Sequence, residues 1–241
     1  MLSKREIKDI QSLSHKKFRA ELKLFVAEGP KMVSELIQLI PHQVERVYAV
    51  NDWINSNQSI LQNANATEIN EGELERISQW QTPNQVVAVF KQFLPKNPSS
   101  SFVLYLDTIQ DPGNFGTIIR IADWFGVKDV VSTEGCADLY NPKTVQSTMA
   151  SIARVNVFYD EGQQWIKQQS LPIYAATLNG VALNQHKKIN EGVLVIGNES
   201  KGISDEILQY ATEQITIPKR GDAESLNAAV ATGIILSHLL S

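Results

Sequence analysis

The chain has 241 residues, 43% hydrophobic and 20% charged, with a net charge of −4: an ordinary globular balance with room for two domains. No stretch approaches the ~20 apolar residues of a membrane span, and the charged start Met1-Leu-Ser-Lys-Arg-Glu-Ile-Lys8 lacks the apolar run of a secretory signal, so a cytoplasmic protein is expected. One cysteine, Cys136, excludes an internal disulfide and any multi-cysteine zinc site, and four scattered histidines offer no ligand pairs, so no metal is expected.

From Met1 to Lys31, eight basic residues (Lys4, Arg5, Lys8, Lys16, Lys17, Arg19, Lys23, Lys31) face four acidic ones (Glu6, Asp9, Glu21, Glu28). Alone, this surplus reads as a solvated helical face. Apolar runs at Leu24 to Ala27, Val44 to Val50 and Val86 to Phe90 predict strands, and Pro30 to Leu39 and Glu71 to Gln79 predict helices. Residues 1–93 thus read as a small α/β domain. Leu94-Pro-Lys-Asn-Pro-Ser-Ser-Ser101 has the composition of a linker.

From residue 102 to 241 the alternation sharpens. Strands are predicted at Phe102 to Leu106, Asp129 to Ser132, Val155 to Phe158, Ile173 to Ala176, Val193 to Ile196 and Gln214 to Ile217, with helical patterns between most of them. This predicts an α/β domain with a parallel sheet covered on both faces. Such sheets bind ligands beyond the carboxyl ends of their strands.

Three polar segments fall at those ends. Asp111-Pro-Gly-Asn-Phe-Gly116 reads as a turn before a helix with Ile118, Ile121, Ala122 and Phe125 on one face; Asn114 sits in that turn and Arg120 can present its guanidinium on the same side. Gly197-Asn-Glu-Ser-Lys-Gly202 follows a strand and nearly spells a phosphate-binding loop, but Ile203 stands where the required lysine would be. Pro218 to Asn227 is a long turn in which Ser225 is a natural cap for an apolar helix from Leu226 to Leu240.

Asn114-x5-Arg120, Ile196-Gly-Asn-Glu-x-x-Gly202 and Ile217-Pro-x7-Leu-Asn227, in this order, resemble the three motifs of the SpoU (TrmH) family of RNA ribose 2'-O-methyltransferases, of the SPOUT class. The amino-terminal part, with Ser12-Leu-Ser-His-Lys-Lys-Phe-Arg19 and Phe25-Val-Ala-Glu-Gly29, is similar to the small RNA-binding domain related to ribosomal protein L30e that often precedes this catalytic domain. The resemblance implies a carboxyl-terminal trefoil knot around S-adenosylmethionine, a homodimer packed through the knot region, and RNA as partner, ribosomal rather than transfer RNA. It assigns catalysis to Arg120, Asn114, Glu199, Ser225 and Asn227, cofactor contacts to Thr177, Leu178, Gly197, Ile217 and Leu226, and RNA contacts to Lys16, Lys17, Arg19, Glu28 and Lys31. Arg120 is the family's candidate general base. A guanidinium stays charged, so a role in holding RNA phosphate and stabilising alkoxide charge is the reading taken here. In Ser147-Thr-Met-Ala-Ser151, Ala150 stands where relatives commonly carry glycine.

Rival readings are a tRNA methyltransferase, a non-catalytic RNA-binding relative, a base methyltransferase acting through Cys136, and a nucleotide hydrolase. Intact Asn114, Arg120, Glu199 and Asn227 weigh against loss of activity, and Cys136 lies in Glu134-Gly-Cys-Ala137 without a neighbouring base.

Overall fold

The computed structural model describes residues 1–240. In chain order the elements are α1 (Lys4–Ser12), α2 (Lys16–Leu22), β1 (Leu24–Glu28), α3 (Pro30–Leu39), β2 (Val44–Ala49), α4 (Asn51–Ser56), β3 (Ala66–Glu68), α5 (Glu71–Ile77), β4 (Val86–Lys91), β5 (Phe102–Leu106), α6 (Pro112–Trp124), β6 (Asp129–Thr133), α7 (Pro142–Thr148), β7 (Asn156–Asp160), α8 (Gln164–Lys167), β8 (Ile173–Ala182), β9 (Gly192–Ile196), α9 (Asp205–Leu208), β10 (Glu213–Thr216) and α10 (Ala228–Leu240). They form two compact units, Met1–Leu94 with Tyr140–Ala153, and Pro95–Leu139 with Arg154–Ser241. No described helix is long and apolar enough to cross a membrane.

The first unit holds a four-stranded sheet in the order β1-β4-β2-β3, with β4 antiparallel to both neighbours and β3 parallel to β2. Apolar residues from α1 (Ile7, Ile10), α5 (Leu74, Ile77) and the sheet (Val26, Tyr48, Val87, Val89) share one core. The basic start is helical: Ser3 and Glu6 form a reciprocal capping box that sets where α1 begins. Gly29 turns β1 into α3 at φ +91°, and a Cβ there would meet the Trp80 ring at 3.1 Å, so glycine is needed on both counts. Tyr140–Ala153, which follows the 94–101 segment in sequence, belongs to this unit through α7, and Tyr140 packs its ring 5.1 Å from that of Phe25. Ala150 takes φ +70°, the left-handed conformation that glycine adopts without steric cost.

The second unit is a six-stranded parallel sheet in the order β10-β8-β9-β5-β6-β7. Its central strands are buried end to end, as the unbroken apolar runs predict. The β8–β10 ladder is interrupted: Gln214 pairs with Ala175, but Ile215 pairs with Val181, so residues 176–180 are extruded from the register. At the end of that excursion the Gly180 backbone lies against β10, where a Cβ would stand 2.4 Å from the Gln214 carbonyl carbon. Only glycine fits.

Helix boundaries differ from expectation in three places: α5 ends at Ile77 rather than Gln79, and two helix starts shift. α6 starts at Pro112, so the segment read as a turn is its first turn, and the buried stripe is Phe115, Ile118, Ile119 and Ala122, with Ile121 and Phe125 half-buried. α10 starts at Ala228 and packs Ala229, Thr232, Ile235, Leu236 and Leu239 inward.

Candidate active site

Asp111, rather than Asn114, caps α6: its carboxylate accepts from Asn114 N at 2.8 Å, and Pro112 at the first helical position has no N–H to satisfy. Asn114 is thereby free to use its side chain elsewhere. Its Nδ2 donates to Glu199 Oε1 at 2.7 Å, and its Oδ1 accepts from Asn227 Nδ2 at 2.9 Å. One amide joins segments 85 and 113 residues away. Its orientation is dictated, because only the N–H end can face a carboxylate, which leaves the oxygen for Asn227.

Asn227 has a second task. Its Oδ1 accepts from Ala229 N at 3.0 Å and Val230 N at 3.3 Å, so Asn227 caps α10 in place of Ser225, which is exposed and outside the network. Donor-to-acceptor order therefore runs Asn227, Asn114, Glu199 and ends on a charge, an arrangement in which each bond polarises the next.

The loop that carries Glu199 is pinned from within and from below. Asn198 and Gly202 exchange backbone hydrogen bonds of 3.0 and 2.9 Å, and a Cβ on Gly197 would fall 2.3 Å from the Gly202 carbonyl carbon. Asn198 Oδ1 accepts from Ser200 N (2.9 Å) and Lys201 N (3.1 Å), while its Nδ2 donates to Thr108 O at 2.9 Å. Buried Asp107 accepts from Ser204 N at 2.7 Å and from Thr108 Oγ1 at 2.9 Å. Thr108 itself sits at φ +59°, a strained conformation for a β-branched residue. Sequence reasoning missed Asp107, Thr108 and Asn198. An acid directly after the apolar run of β5 is the one signal that pointed there.

Arg120 is not drawn into this network. Six residues along α6 it lies roughly 120° around the helix axis from Asn114, exposed, with no hydrogen bond or ion pair among the described residues. Of the expected cofactor residues, Gly197 and Ile217 directly follow β9 and β10, and Leu226 lies in the segment before α10. Thr177 and Leu178 occupy the extruded part of β8, where Thr177 Oγ1 donates to Gln214 Oε1 at 3.3 Å and Leu178 O accepts from Thr216 Oγ1 at 3.1 Å. Leu178 is 72% and Leu226 47% exposed, and Ile217 after β10 is half-buried. These are apolar side chains that the chain itself leaves uncovered.

Cys136 is buried. Its sulfur donates to Leu106 O and accepts from Ile109 N, both at 3.3 Å, and burial pushes the thiol pKa up. This is a packed thiol rather than a nucleophile.

In the first unit, Lys16, Lys17 and Lys31 are exposed. Two companions expected beside them face inward. Arg19 is 2% exposed and donates from Nη1 to Leu13 O (2.8 Å) and Ser14 O (2.7 Å). Glu28 is buried, accepts from Ser78 Oγ and from Gln79 N, and has its pKa raised by desolvation. Both hold their own unit together, which corrects their place among surface contacts for RNA.

Residues 101–237 match the SpoU rRNA methylase family, and residues 4–88 match the MRM3-like substrate binding domain. The 23S rRNA (guanosine(2553)-2'-O)-methyltransferase RlmP of Bacillus subtilis is 31% identical over 97% of this chain and 95% of its own. Among solved structures, a TrmH-family protein from Porphyromonas gingivalis shares 34% identity with a TM-score of 0.88, covering 99% of this chain and 98% of that one. An AdoMet-bound rRNA methyltransferase from Sinorhizobium meliloti shares 30% identity with a TM-score of 0.86, covering 99% and 95%.

Proposed function

Because the chain belongs to the SpoU rRNA methylase family, we propose that it transfers the methyl group of S-adenosylmethionine to a ribose 2'-hydroxyl of ribosomal RNA, in the large-subunit 23S molecule. It is an S-adenosylmethionine-dependent RNA 2'-O-ribose methyltransferase. The observation that carries this reading is the Asn227–Asn114–Glu199 chain of hydrogen bonds, which makes one site of three distant segments at the carboxyl ends of the strands.

The residues fit the cofactor. An adenosyl group needs apolar contact and backbone groups to read its edges; Leu178, Ile217 and Leu226 offer the first, and the backbone at the end of β9, from Gly197 onward, offers the second. When bound, the cofactor supplies an electrophilic methyl on sulfur. Arg120 binds an RNA phosphate and stabilises negative charge growing on the 2'-oxygen. The Asn114 network holds the loop after β9 against the start of α6, which fixes where ribose and methyl meet; alignment of this kind lowers the barrier, and the proton that the 2'-hydroxyl gives up passes to water.

A trefoil knot in the second unit is part of the same reading, supported by the close crossing of Gly180 against β10. So is a homodimer. Trp124 on α6 and Val230 and Ile234 on α10 are 84%, 51% and 40% exposed, an apolar surface that a second copy would cover and that would bring Arg120 beside a neighbouring chain. The amino-terminal unit holds RNA through Lys16, Lys17 and Lys31, and the work is done in the cytoplasm, where ribosomes are built.

Mapping ribose methylation in ribosomal RNA with and without the gene tests the reading: one 2'-O-methyl group should vanish and return with the purified enzyme and S-adenosylmethionine. An unchanged methylation map would overturn it.

A further inference from the structure

The turn after β5 combines two unfavourable features that packing alone does not require. Thr108 takes φ +59°, a left-handed conformation that β-branched residues avoid. Asp107 beside it carries a carboxylate, 3% exposed, whose hydrogen-bond partners are a backbone amide and a hydroxyl rather than a cation. A buried carboxylate of this kind is unfavourable unless its bonds serve the fold, and backbone strain collects at working sites, where the surrounding structure imposes it.

Each polar group of Thr108 is engaged, and each bond runs to a different place. Its N–H donates to Thr133 Oγ1 at 3.0 Å, its hydroxyl donates to Asp107 Oδ1 at 2.9 Å, and its carbonyl accepts from Asn198 Nδ2 at 2.9 Å. The other Asp107 oxygen accepts from Ser204 N at 2.7 Å. Thr133 ends β6, while Asn198 and Ser204 bracket the loop after β9, so the ends of three neighbouring strands close on this one turn. Gly135 keeps the space open, because a Cβ there would stand 3.2 Å from the Thr108 side chain. Asn198 passes the constraint on. Its Oδ1 accepts from Ser200 N and Lys201 N, so Glu199 lies inside a turn closed by the same amide that Thr108 holds.

We propose that Asp107 and Thr108 are positioning residues for methyl transfer: the strained turn aims the Thr108 carbonyl at Asn198, and through Asn198 it fixes where the Glu199 carboxylate meets Asn114. They act through the loop after β9 rather than on the ribose. Displacing reacting groups by about 1 Å is enough to slow an aligned reaction by about 100-fold, so a loosened turn acts on kcat and leaves binding alone. The role rests on the RNA-methylating reading, but the bond between Glu199 and Asn114 can be followed without catalysis.

The experiment compares three substitutions in the full chain. Thr108→Val keeps the shape and loses the donor to Asp107, Thr108→Ser keeps the donor, and Thr108→Gly loses the donor but releases the strain. Thr108→Val should lower kcat about tenfold to 100-fold, with KM for RNA and Kd for S-adenosylmethionine within about twofold of the parent's, and Thr108→Ser should recover most of the rate. Thr108→Gly separates positioning from stability: its melting temperature should stay near the parent's while kcat falls as in Thr108→Val. The readout without catalysis is the side-chain amide resonance of Asn114 in heteronuclear NMR, assigned by its loss in Asn114→Asp. In Thr108→Val and Thr108→Gly it should move towards its position in Glu199→Gln, where the carboxylate is gone. An Asn114 resonance that stays in place in both variants overturns the proposal, as does a parental kcat in Thr108→Gly. Failure of the methyltransferase reading would show elsewhere, as an absence of methyl transfer by the unaltered chain, and the resonance would still report on the turn.

Discussion

Asn114 Nδ2 donates to the Glu199 carboxylate at 2.7 Å, so the first turn of α6 and the loop after β9 are held by one bond between an amide and a charge. Asn114→Asp puts two carboxylates face to face and removes the donor while barely changing shape. The expected outcome is a fall in kcat/KM of about 100-fold, or ~2.7 kcal/mol, with the Kd for S-adenosylmethionine changed less than about threefold. Methyl-transfer kinetics beside calorimetric titration measure both. Equal losses in the two would assign the network to cofactor binding instead.

Arg120 makes no hydrogen bond or ion pair among the described residues that its removal would break. Arg120→Ala should therefore leave the melting temperature and cofactor affinity near those of the parent and abolish methylation. Arg120→Lys keeps the charge without the planar fork and should recover only part of the rate. Full activity in Arg120→Ala would remove it from the site.

Gly180 is the tightest test of packing outside the site. A methyl group there would stand 2.4 to 2.5 Å from the Gln214 and Ile215 backbone, which cannot yield as a side chain can. Gly180→Ala should destabilise the protein by about 1–3 kcal/mol, read as a lowered urea midpoint. A midpoint equal to the parent's would mean that β8 and β10 do not approach as described.

Cys136→Ser should keep methyl transfer. Desolvation raises the thiol pKa, so the thiolate population at neutral pH falls further below that of a free cysteine. The pH–rate profile of the variant should superimpose on that of the parent. A profile that loses a limb would restore the cysteine to the chemistry.

Lys16 and Lys17 are exposed on α2, whereas Arg19 on the same helix is buried against Leu13 and Ser14 carbonyls. The pair Lys16→Ala and Lys17→Ala should weaken RNA binding and reduce the slope of log K against log salt by up to about 2, with stability intact. Arg19→Ala should act on stability instead, costing on the order of 1–3 kcal/mol because the buried Leu13 carbonyl and the part-buried Ser14 carbonyl lose their donor. Filter binding at several salt concentrations and chemical denaturation separate the two effects.

The sheet of the second unit was legible because its strands are buried on both faces and so appear as unbroken apolar runs. Helix starts were less so. Asp111-Pro-Gly-Asn carries turn residues, yet a capping aspartate with proline next to it also opens a helix, and local composition does not choose between these. The same ambiguity made Ser225 the expected cap where Asn227 serves. Asn114, Glu199 and Asn227 stood out as polar residues at strand ends, but that one amide would join them is a fact of tertiary distance. Thr108 had no signal at all, since its left-handed φ is imposed by the fold and β-branched residues avoid it. Arg19 and Glu28 misled for the opposite reason: charge in a sequence reads as surface, and here both charges are spent on carbonyls, a hydroxyl and an amide inside the unit.

The chain has a single thiol, and that thiol is only 8% exposed at Cys136. Maleimide reagents need an accessible sulfur, so the native surface is silent towards them. A cysteine introduced at exposed Ser56 or Trp124 then becomes the one position a fluorophore or spin label reaches, with no background to engineer away. The molecule is ready-made for site-specific labelling, with one dye per polypeptide reporting from the end of α4 or from the exposed face of α6.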